Sequence, residues 1–119
     1  MEHILVAEDE PDLRELLYNF ITEGGYRVTL ARDGLEALEL FRGGTFDLVL
    51  LDIMMPKVDG YGVLELIRRE SAVPVVLLTA LDDETHQLRG YDLAADDYVT
   101  KPFSMKVLLR KIAAVLRRA

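Results

Sequence analysis

Acidic residues in this sequence are grouped where two of its apolar runs end. Glu8, Asp9 and Glu10 follow the first run, and Asp52 follows the third. Carboxylates held close together repel one another, so each has a raised pKa unless a cation lies between them. Carboxylate oxygens and water are the ligands that Mg²⁺ prefers. If these acids meet in the fold, they form a site for a hard divalent cation.

A hydroxyl group and an ammonium group follow two further apolar runs. Thr79 comes after the fourth run, and Lys101 comes after the fifth, directly before Pro102. Protein-bound Mg²⁺ often contacts a phosphate, and phosphoryl transfer is catalysed mainly by positioning and charge neutralisation. An aspartate can itself accept the phosphoryl group and become an acyl phosphate. The acids, the lysine and the threonine together therefore predict a phosphoryl site.

These residues can meet only through a particular arrangement of strands and helices. Apolar, strand-like runs cover residues 4–7, 27–31, 48–51, 75–78 and 98–99. Segments with the apolar periodicity of helices lie between and after them, and the weakest, residues 82–93, is largely polar. Five strands alternating with five helices imply right-handed crossovers and a parallel sheet with helices on both faces. In such folds ligands bind at the carboxyl ends of the strands, where the chemistry-bearing residues fall.

Composition limits the class of protein. The 119 residues, 50% hydrophobic and 29% charged, have the size and balance of one globular domain. Cysteine is absent, which excludes disulfides and thiolate metal sites. The apolar runs are too short to span a membrane and no signal peptide is recognisable, so we expect a cytoplasmic protein. All 21 acids lie before residue 101, which argues against nucleic-acid binding by this acidic body.

Four motifs resemble those of a known family. In chain order they are ILVAEDE, LVLLDIMMPKVDG, VVLLTA and ADDYVTKPF, and they resemble the receiver domain of two-component response regulators across residues 4–118. The resemblance implies a flavodoxin-like, doubly wound, five-stranded parallel sheet of order 2-1-3-4-5 with five helices. It also implies that the domain accepts a phosphoryl group from the phosphohistidine of a sensor histidine kinase. The reaction would need Mg²⁺, for which Mn²⁺ can substitute, and no external substrate would be turned over.

The resemblance assigns roles to individual acids. Asp52 corresponds to the phosphoacceptor. Asp9, Asp52 and the backbone carbonyl of Met54 correspond to the Mg²⁺ ligands, and Glu8 corresponds to an acid that holds the metal through water. The family most often has aspartate at that last position, so the glutamate, longer by one methylene, is a departure. Glu10 is expected to cap the first helix or to be solvated.

The resemblance also assigns the residues that respond to the phosphoryl group. Lys101 corresponds to the phosphate-binding lysine, with a cis peptide bond expected before Pro102. Thr79 and Tyr98 correspond to a switch pair. In the family, the threonine moves to bond the phosphate and the aromatic ring turns inward to fill the vacated space.

The end of the chain resembles one class of response regulator. The ADDYVTKPF motif and the basic last helix are similar to those of OmpR/PhoB-type winged-helix regulators. We therefore interpret residues 1–119 as a single receiver domain excised from a longer regulator that would bind DNA only through a missing C-terminal domain. The class forms homodimers through its fourth helix, fifth strand and fifth helix. The charged positions of that face correspond to Asp96, Asp97, Lys111 and Arg118. Gln87 and Val107 depart from the class and remove one expected ion pair.

Three other interpretations fit the sequence less well. A phosphatase of the haloacid dehalogenase type also uses an aspartyl nucleophile, but it has an Asp-x-Asp motif after its first strand and usually a cap domain. A flavin-binding module on the flavodoxin fold needs a Ser/Thr/Gly-rich loop there, and three acids would repel the flavin phosphate. A pseudo-receiver would normally have lost the acceptor, the acids or the lysine, and none is lost.

Overall fold

The predicted alternation of strands and helices is present in a computed structural model of the chain, which describes residues 1–79 and 94–119. The strands are β1 (His3–Ala7), β2 (Arg27–Ala31), β3 (Leu48–Asp52), β4 (Val75–Thr79) and β5 (Asp97–Thr100). Four helices lie within the described ranges: α1 (Pro11–Glu23), α2 (Gly34–Gly43), α3 (Gly60–Glu70) and α4 (Met105–Arg118). The helix predicted for residues 82–93 lies outside the described residues, so the expectation of five helices is not tested there.

The five strands form one parallel sheet in the order β2-β1-β3-β4-β5, which confirms the expected order. The register of the sheet determines which residues meet at its carboxyl edge. Ala7 of β1 pairs with Leu51 of β3. The residues that follow them, Glu8 and Asp52, therefore lie side by side. Thr79 pairs with Thr100 of β5, which places Lys101 at the same edge.

Both faces of the sheet are covered by helices, as a parallel sheet requires. One core packs α2 and α3 against the sheet, and the other packs α1 and α4 against the opposite face. The central strands β3 and β4 are buried along their whole length, including their terminal polar residues Asp52 and Thr79. The two polar side chains at these ends are therefore held by rigid, fully packed strands. None of the helices in residues 1–79 and 94–119 has both the length and the apolar character needed to cross a bilayer.

Side-chain caps define where the helices begin. The Glu10 carboxylate accepts hydrogen bonds from the backbone N–H groups of Asp12 and Leu13, which confirms the prediction that Glu10 caps the first helix. Asp33 and Asp59 cap α2 and α3 in the same way. Such caps satisfy backbone donors that have no partner inside the helix. The start of each helix, and so the length of the loop before it, is thereby specified locally.

Two glycines allow helices to approach the loop that follows β3. A Cβ atom at Gly60, the first residue of α3, would lie 2.4 Å from the backbone oxygen of Asp52 and 2.8 Å from the Cα atom of Ile53. A Cβ atom at Gly34, the first residue of α2, would lie 1.9 Å from the backbone oxygen of Val58. Both contacts are too close for any side chain, so glycine is required where these helices support the loop.

We predict that Gly60→Ala lowers the free energy of unfolding by about 1–3 kcal/mol, because the new methyl group collides with the backbone that carries Asp52. Gly43→Ala, at the end of α2, is the matched control, since nothing lies within 4 Å of its Cβ position. Urea denaturation of both variants measures the difference. Equal stability of the Gly60 and Gly43 variants would show that the close approach of Gly60 to the backbone of Asp52 does not affect the free energy of unfolding.

Candidate functional site

Three carboxylates converge at the carboxyl edge of the sheet. Glu8, Asp9 and Asp52 each offer an oxygen, and these oxygens all lie within 4.8 Å of one another. Glu8 is fully buried and Asp52 is only 2% exposed, whereas Asp9 is more accessible. The neighbouring Glu10 is engaged in capping α1 instead. The sequence-based expectation that acids from two chain segments meet at one edge is confirmed.

A single ammonium group ties two of these acids together. The Nζ atom of Lys101 lies 2.9 Å from Oδ2 of Asp52 and 3.3 Å from Oε1 of Glu8. Burial lowers the pKa of Lys101. Its hydrogen bonds to Asp52 and Glu8, together with their negative charges, raise the pKa by more, so that the net shift is upward. Lys101 is therefore a permanent cation beside the buried acids. The peptide bond between Lys101 and Pro102 is cis, as the resemblance implied.

The pKa of Glu8 reflects mainly the burial of its carboxyl group. Its pKa is raised to about 7, first because the carboxyl is buried and then because it shares a hydrogen bond with Asp52. The backbone N–H of Glu10, which donates to Oε2 of Glu8 at 3.1 Å, and the charge of Lys101 both oppose this rise. The carboxyl group of Glu8 therefore holds its proton more tightly than an exposed glutamate does, even with Lys101 beside it.

Both oxygens of the Asp52 carboxylate have a defined partner. Oδ2 contacts Lys101, and Oδ1 accepts a hydrogen bond from the backbone N–H of Met54 at 3.1 Å. The Ile53 N–H donates to the backbone oxygen of Leu78 and so continues the pairing of β3 with β4 past Asp52. The carboxylate is therefore oriented by groups on both sides and by the strand beneath it.

The donor set of this edge fits a hard divalent cation. The groups that converge there are the carboxylates of Glu8, Asp9 and Asp52, which are all oxygen donors. No histidine or cysteine lies in the cluster, which disfavours softer metals such as zinc or copper. These three acids are therefore compatible with a divalent cation. The individual ligand roles that the resemblance implied, including that of the Met54 carbonyl, stay predictions.

The two residues of the predicted switch pair lie on adjacent strands. Thr79 ends β4 with only 2% of its surface exposed, and its backbone oxygen accepts the N–H of Lys101 at 2.6 Å. Tyr98 lies on β5, paired with Leu77, and its half-buried ring packs against the core beneath α2 and α3. Thr79 is therefore at the acidic edge, whereas Tyr98 lies two residues before that edge on the neighbouring strand.

The predicted dimer face already contains ion pairs within one chain. Lys111 lies 3.6 Å from Asp97 and donates to the backbone oxygen of Tyr98 at 2.8 Å. Oδ2 of Asp96 contacts Arg68 of α3 at 3.0 Å and also accepts the N–H of Val75 at 2.7 Å.

The structure describes two of the three remaining residues that were singled out on this face. Arg118 is exposed at the end of α4, and the departing residue Val107 is 47% exposed. Gln87, the other departure, lies outside the described residues. The role of Arg68 could not be predicted from the sequence, because a basic residue near a helix C-terminus is usual without any partner.

The family is decided by a comparison with models of known protein families. A family described as the response regulator receiver domain matches residues 4–113. The chain belongs to this family. The match covers all five strands and the acidic edge of this receiver domain.

Curated relatives of the receiver domain are longer proteins. One is named "Probable transcriptional regulator ycf27" from Guillardia theta and is 51% identical over 117 residues, which are 98% of this chain and 46% of the relative. Another is response regulator RR06 of Streptococcus pneumoniae, 48% identical over 116 residues, which are 98% of this chain and 54% of the relative. The receiver domain thus spans about half the length of these relatives.

Solved structures share the fold over nearly the whole chain. The receiver domain of a Francisella response regulator has a TM-score of 0.95 and 34% identity and covers 99% of this chain and 98% of its own. The response regulator TrrA of Thermotoga maritima, solved in complex with Mg²⁺ and BeF, has a TM-score of 0.88 and 40% identity, with coverage of 97% and 99%. The flavodoxin-like receiver fold is confirmed by these similarities.

We predict that titration of Glu8 lowers the free energy of unfolding of the metal-free domain by roughly 1–3 kcal/mol as the pH rises from about 4.5 to about 7. The folded state keeps the Glu8 proton in this window whereas the unfolded state has released it, so the folded state binds more protons and rising pH favours unfolding. Urea denaturation in the presence of a chelator, in wild type and Glu8→Gln, measures the effect. The glutamine variant cannot titrate there, so parallel pH curves for the two proteins would contradict the prediction.

Proposed function

We propose that this receiver domain accepts a phosphoryl group on the carboxylate of Asp52 from the phosphohistidine of a sensor histidine kinase. The observation that carries the proposal is the environment of Asp52. The carboxylate is 2% exposed, lies 2.9 Å from the Lys101 ammonium and is grouped with Glu8 and Asp9. This environment supports a role for Asp52 as a nucleophile rather than as a helix cap.

The transfer exchanges one bond to phosphorus for another. An oxygen of Asp52 forms the new P–O bond while the P–N bond to the histidine breaks. The electron pair of the broken bond stays on the imidazole nitrogen, which takes up a proton from solvent. Water later hydrolyses the acyl phosphate and restores the free carboxylate. We propose no external substrate beyond the phosphoryl donor.

The residues around Asp52 supply positioning and charge. The Met54 N–H and the Lys101 ammonium hold the carboxylate in a single orientation, and Lys101 is a ready partner for phosphoryl oxygens. Mg²⁺ would be held by Asp9, Asp52 and the Met54 carbonyl, with Glu8 acting through water, and Mn²⁺ can take its place. When bound, the ion supplies positive charge that offsets the acids and the incoming phosphoryl oxygens.

The phosphoryl group is proposed to act through Thr79 and Tyr98. It adds about −1.5 to −2 charges and three acceptor oxygens at the edge where Thr79 ends β4. Movement of the Thr79 hydroxyl toward these oxygens opens space that the Tyr98 ring can enter. Both residues lie on strands adjacent in the sheet, which makes a concerted shift of the two sterically feasible.

The output is proposed to be a change in self-association and, through it, transcription. Repacking near Tyr98 would alter the face that carries Asp96, Asp97, Lys111 and Arg118 and favour a homodimer there. The relatives named as transcriptional regulators are about twice as long as this domain. We therefore propose an OmpR/PhoB-type regulator whose DNA contacts are made outside the receiver domain.

We predict that Asp52 is the sole phosphoacceptor and that its modification depends on Mg²⁺. Wild type incubated with acetyl phosphate and Mg²⁺ should gain one phosphoryl group by intact mass, whereas a chelator should abolish the gain. Asp52→Asn should gain none, because the amide is not a nucleophile. Asp12→Asn, which removes an exposed carboxylate in the first turn of α1, should behave as wild type. A phosphorylated Asp52→Asn variant would disprove the assignment.

We predict that Lys101→Ala separates modification from the conformational response, because the phosphoryl oxygens lose a charged partner. With beryllofluoride and Mg²⁺, wild type should sediment as a dimer and Lys101→Ala as a monomer. Lys106→Ala is the control, since that lysine is exposed at the start of α4. A dimeric Lys101 variant would refute its role in the switch, and a strictly monomeric wild type would refute the dimer.

A further inference from the structure

We propose that Arg14 is a positioning residue for the metal-binding acids, an inference that rests on the proposed function. Its Nη1 atom lies 3.1 Å from the backbone oxygen of Glu8 and 3.3 Å from the backbone oxygen of Asp9. One guanidinium nitrogen thus holds the main chain of both acids that the loop after β1 contributes to the cluster. The family resemblance assigned no role to this residue.

The position of Arg14 explains how it reaches the acids. It lies at the end of the first turn of α1, which begins at Pro11. The Cα–Cβ bonds of a helix tilt toward its N-terminus, so a long side chain in the first turn extends back over the preceding loop. That loop consists of residues 8–10. The arginine is therefore placed to contact the loop backbone and not the next turn of its own helix.

Helix stability alone does not account for an arginine at this position. The N-terminus of a helix carries partial positive charge, which favours acidic residues and disfavours cations. The cap of α1 is already supplied by Glu10. The two backbone carbonyl oxygens account for it better, because a guanidinium group has several N–H donors and can bind two acceptors at the same time.

Arg14 differs from Lys101 in which atoms of the site it uses. Lys101 contacts carboxylate oxygens of Asp52 and Glu8, the same kind of atoms that a divalent cation would bind. Within the described part of the chain, Arg14 donates to the main-chain oxygens of Glu8 and Asp9 and to no carboxylate of the cluster. It holds the loop in place without competing with a metal ion for ligands.

The positioning role and a simple charge effect predict opposite outcomes. Removing a positive charge near a cation site should tighten cation binding through weaker repulsion. Removing a group that orients the ligands should weaken binding, and loss of such supporting contacts typically costs about 10–100-fold in metal affinity. The direction of the change therefore identifies the role.

The test measures binding of Mn²⁺ alone, by calorimetry and by the electron paramagnetic resonance signal of the free ion, with no phosphoryl donor. We expect Arg14→Met to raise the dissociation constant roughly tenfold or more. Arg14→Lys, which keeps the charge but has a single donor group, should fall between this variant and wild type. Arg110→Met is the control, because it removes the same charge from an exposed position on α4; its affinity should equal that of wild type or exceed it.

A second measurement reports on the loop without any metal. The amide of Glu10, which donates to Oε2 of Glu8, should exchange its hydrogen faster in Arg14→Met than in Arg110→Met. Unchanged or tighter Mn²⁺ binding by Arg14→Met, or unchanged amide exchange, would overturn the inference while the proposed function stands. A wild-type domain that binds no Mn²⁺ and is not phosphorylated would overturn both.

Discussion

Negative charge buried at the edge of an apolar sheet is the constraint around which this domain is organised. Glu8 and Asp52 are almost completely removed from water, and ionised groups in such places must be paired or must take up a proton. Lys101 supplies one partner, and burial nonetheless raises the pKa of Glu8 to about 7. A cation bound among the three carboxylates would offset their charge, which makes this edge of the sheet compatible with a divalent metal.

The fold can hold these buried groups because the central strands end among them. β3, which ends at Asp52, and β4, which ends at Thr79, are buried throughout and paired on both sides, so their ends have little freedom. The loop beyond β3 is supported by α2 and α3 at contacts that only glycine permits. Burial of the acids is costly, but it also holds them within the small tolerance that a reaction at Asp52 would require.

Much of this arrangement was predictable because parallel strands end at one edge. Apolar runs located the five strands, and the residues that follow them therefore had to meet: Glu8, Asp9, Asp52 and Lys101 do so. The strand limits differed by a residue or two, since hydrogen-bond pairing continues past the apolar run to include Asp52 and Thr79. Individual side-chain partners were not predictable. The pairing of Asp96 with Arg68 depends on the distance between segments 28 residues apart, which no local pattern encodes. The contact of Arg14 with two carbonyl oxygens is local, but it depends on the conformation of the loop before α1.

The bond between the Asp96 carboxylate and the N–H of Val75 has a mechanical consequence. It anchors the first residue of β4, and Arg68 fastens the same carboxylate to α3, so the strand is clamped at its amino end. Thr79 lies at the opposite end of this five-residue strand. Under the proposed switch, a pull on Thr79 along the strand axis would therefore work against these two contacts. A displacement across the sheet toward β5, with which Thr79 pairs, would not stretch them directly.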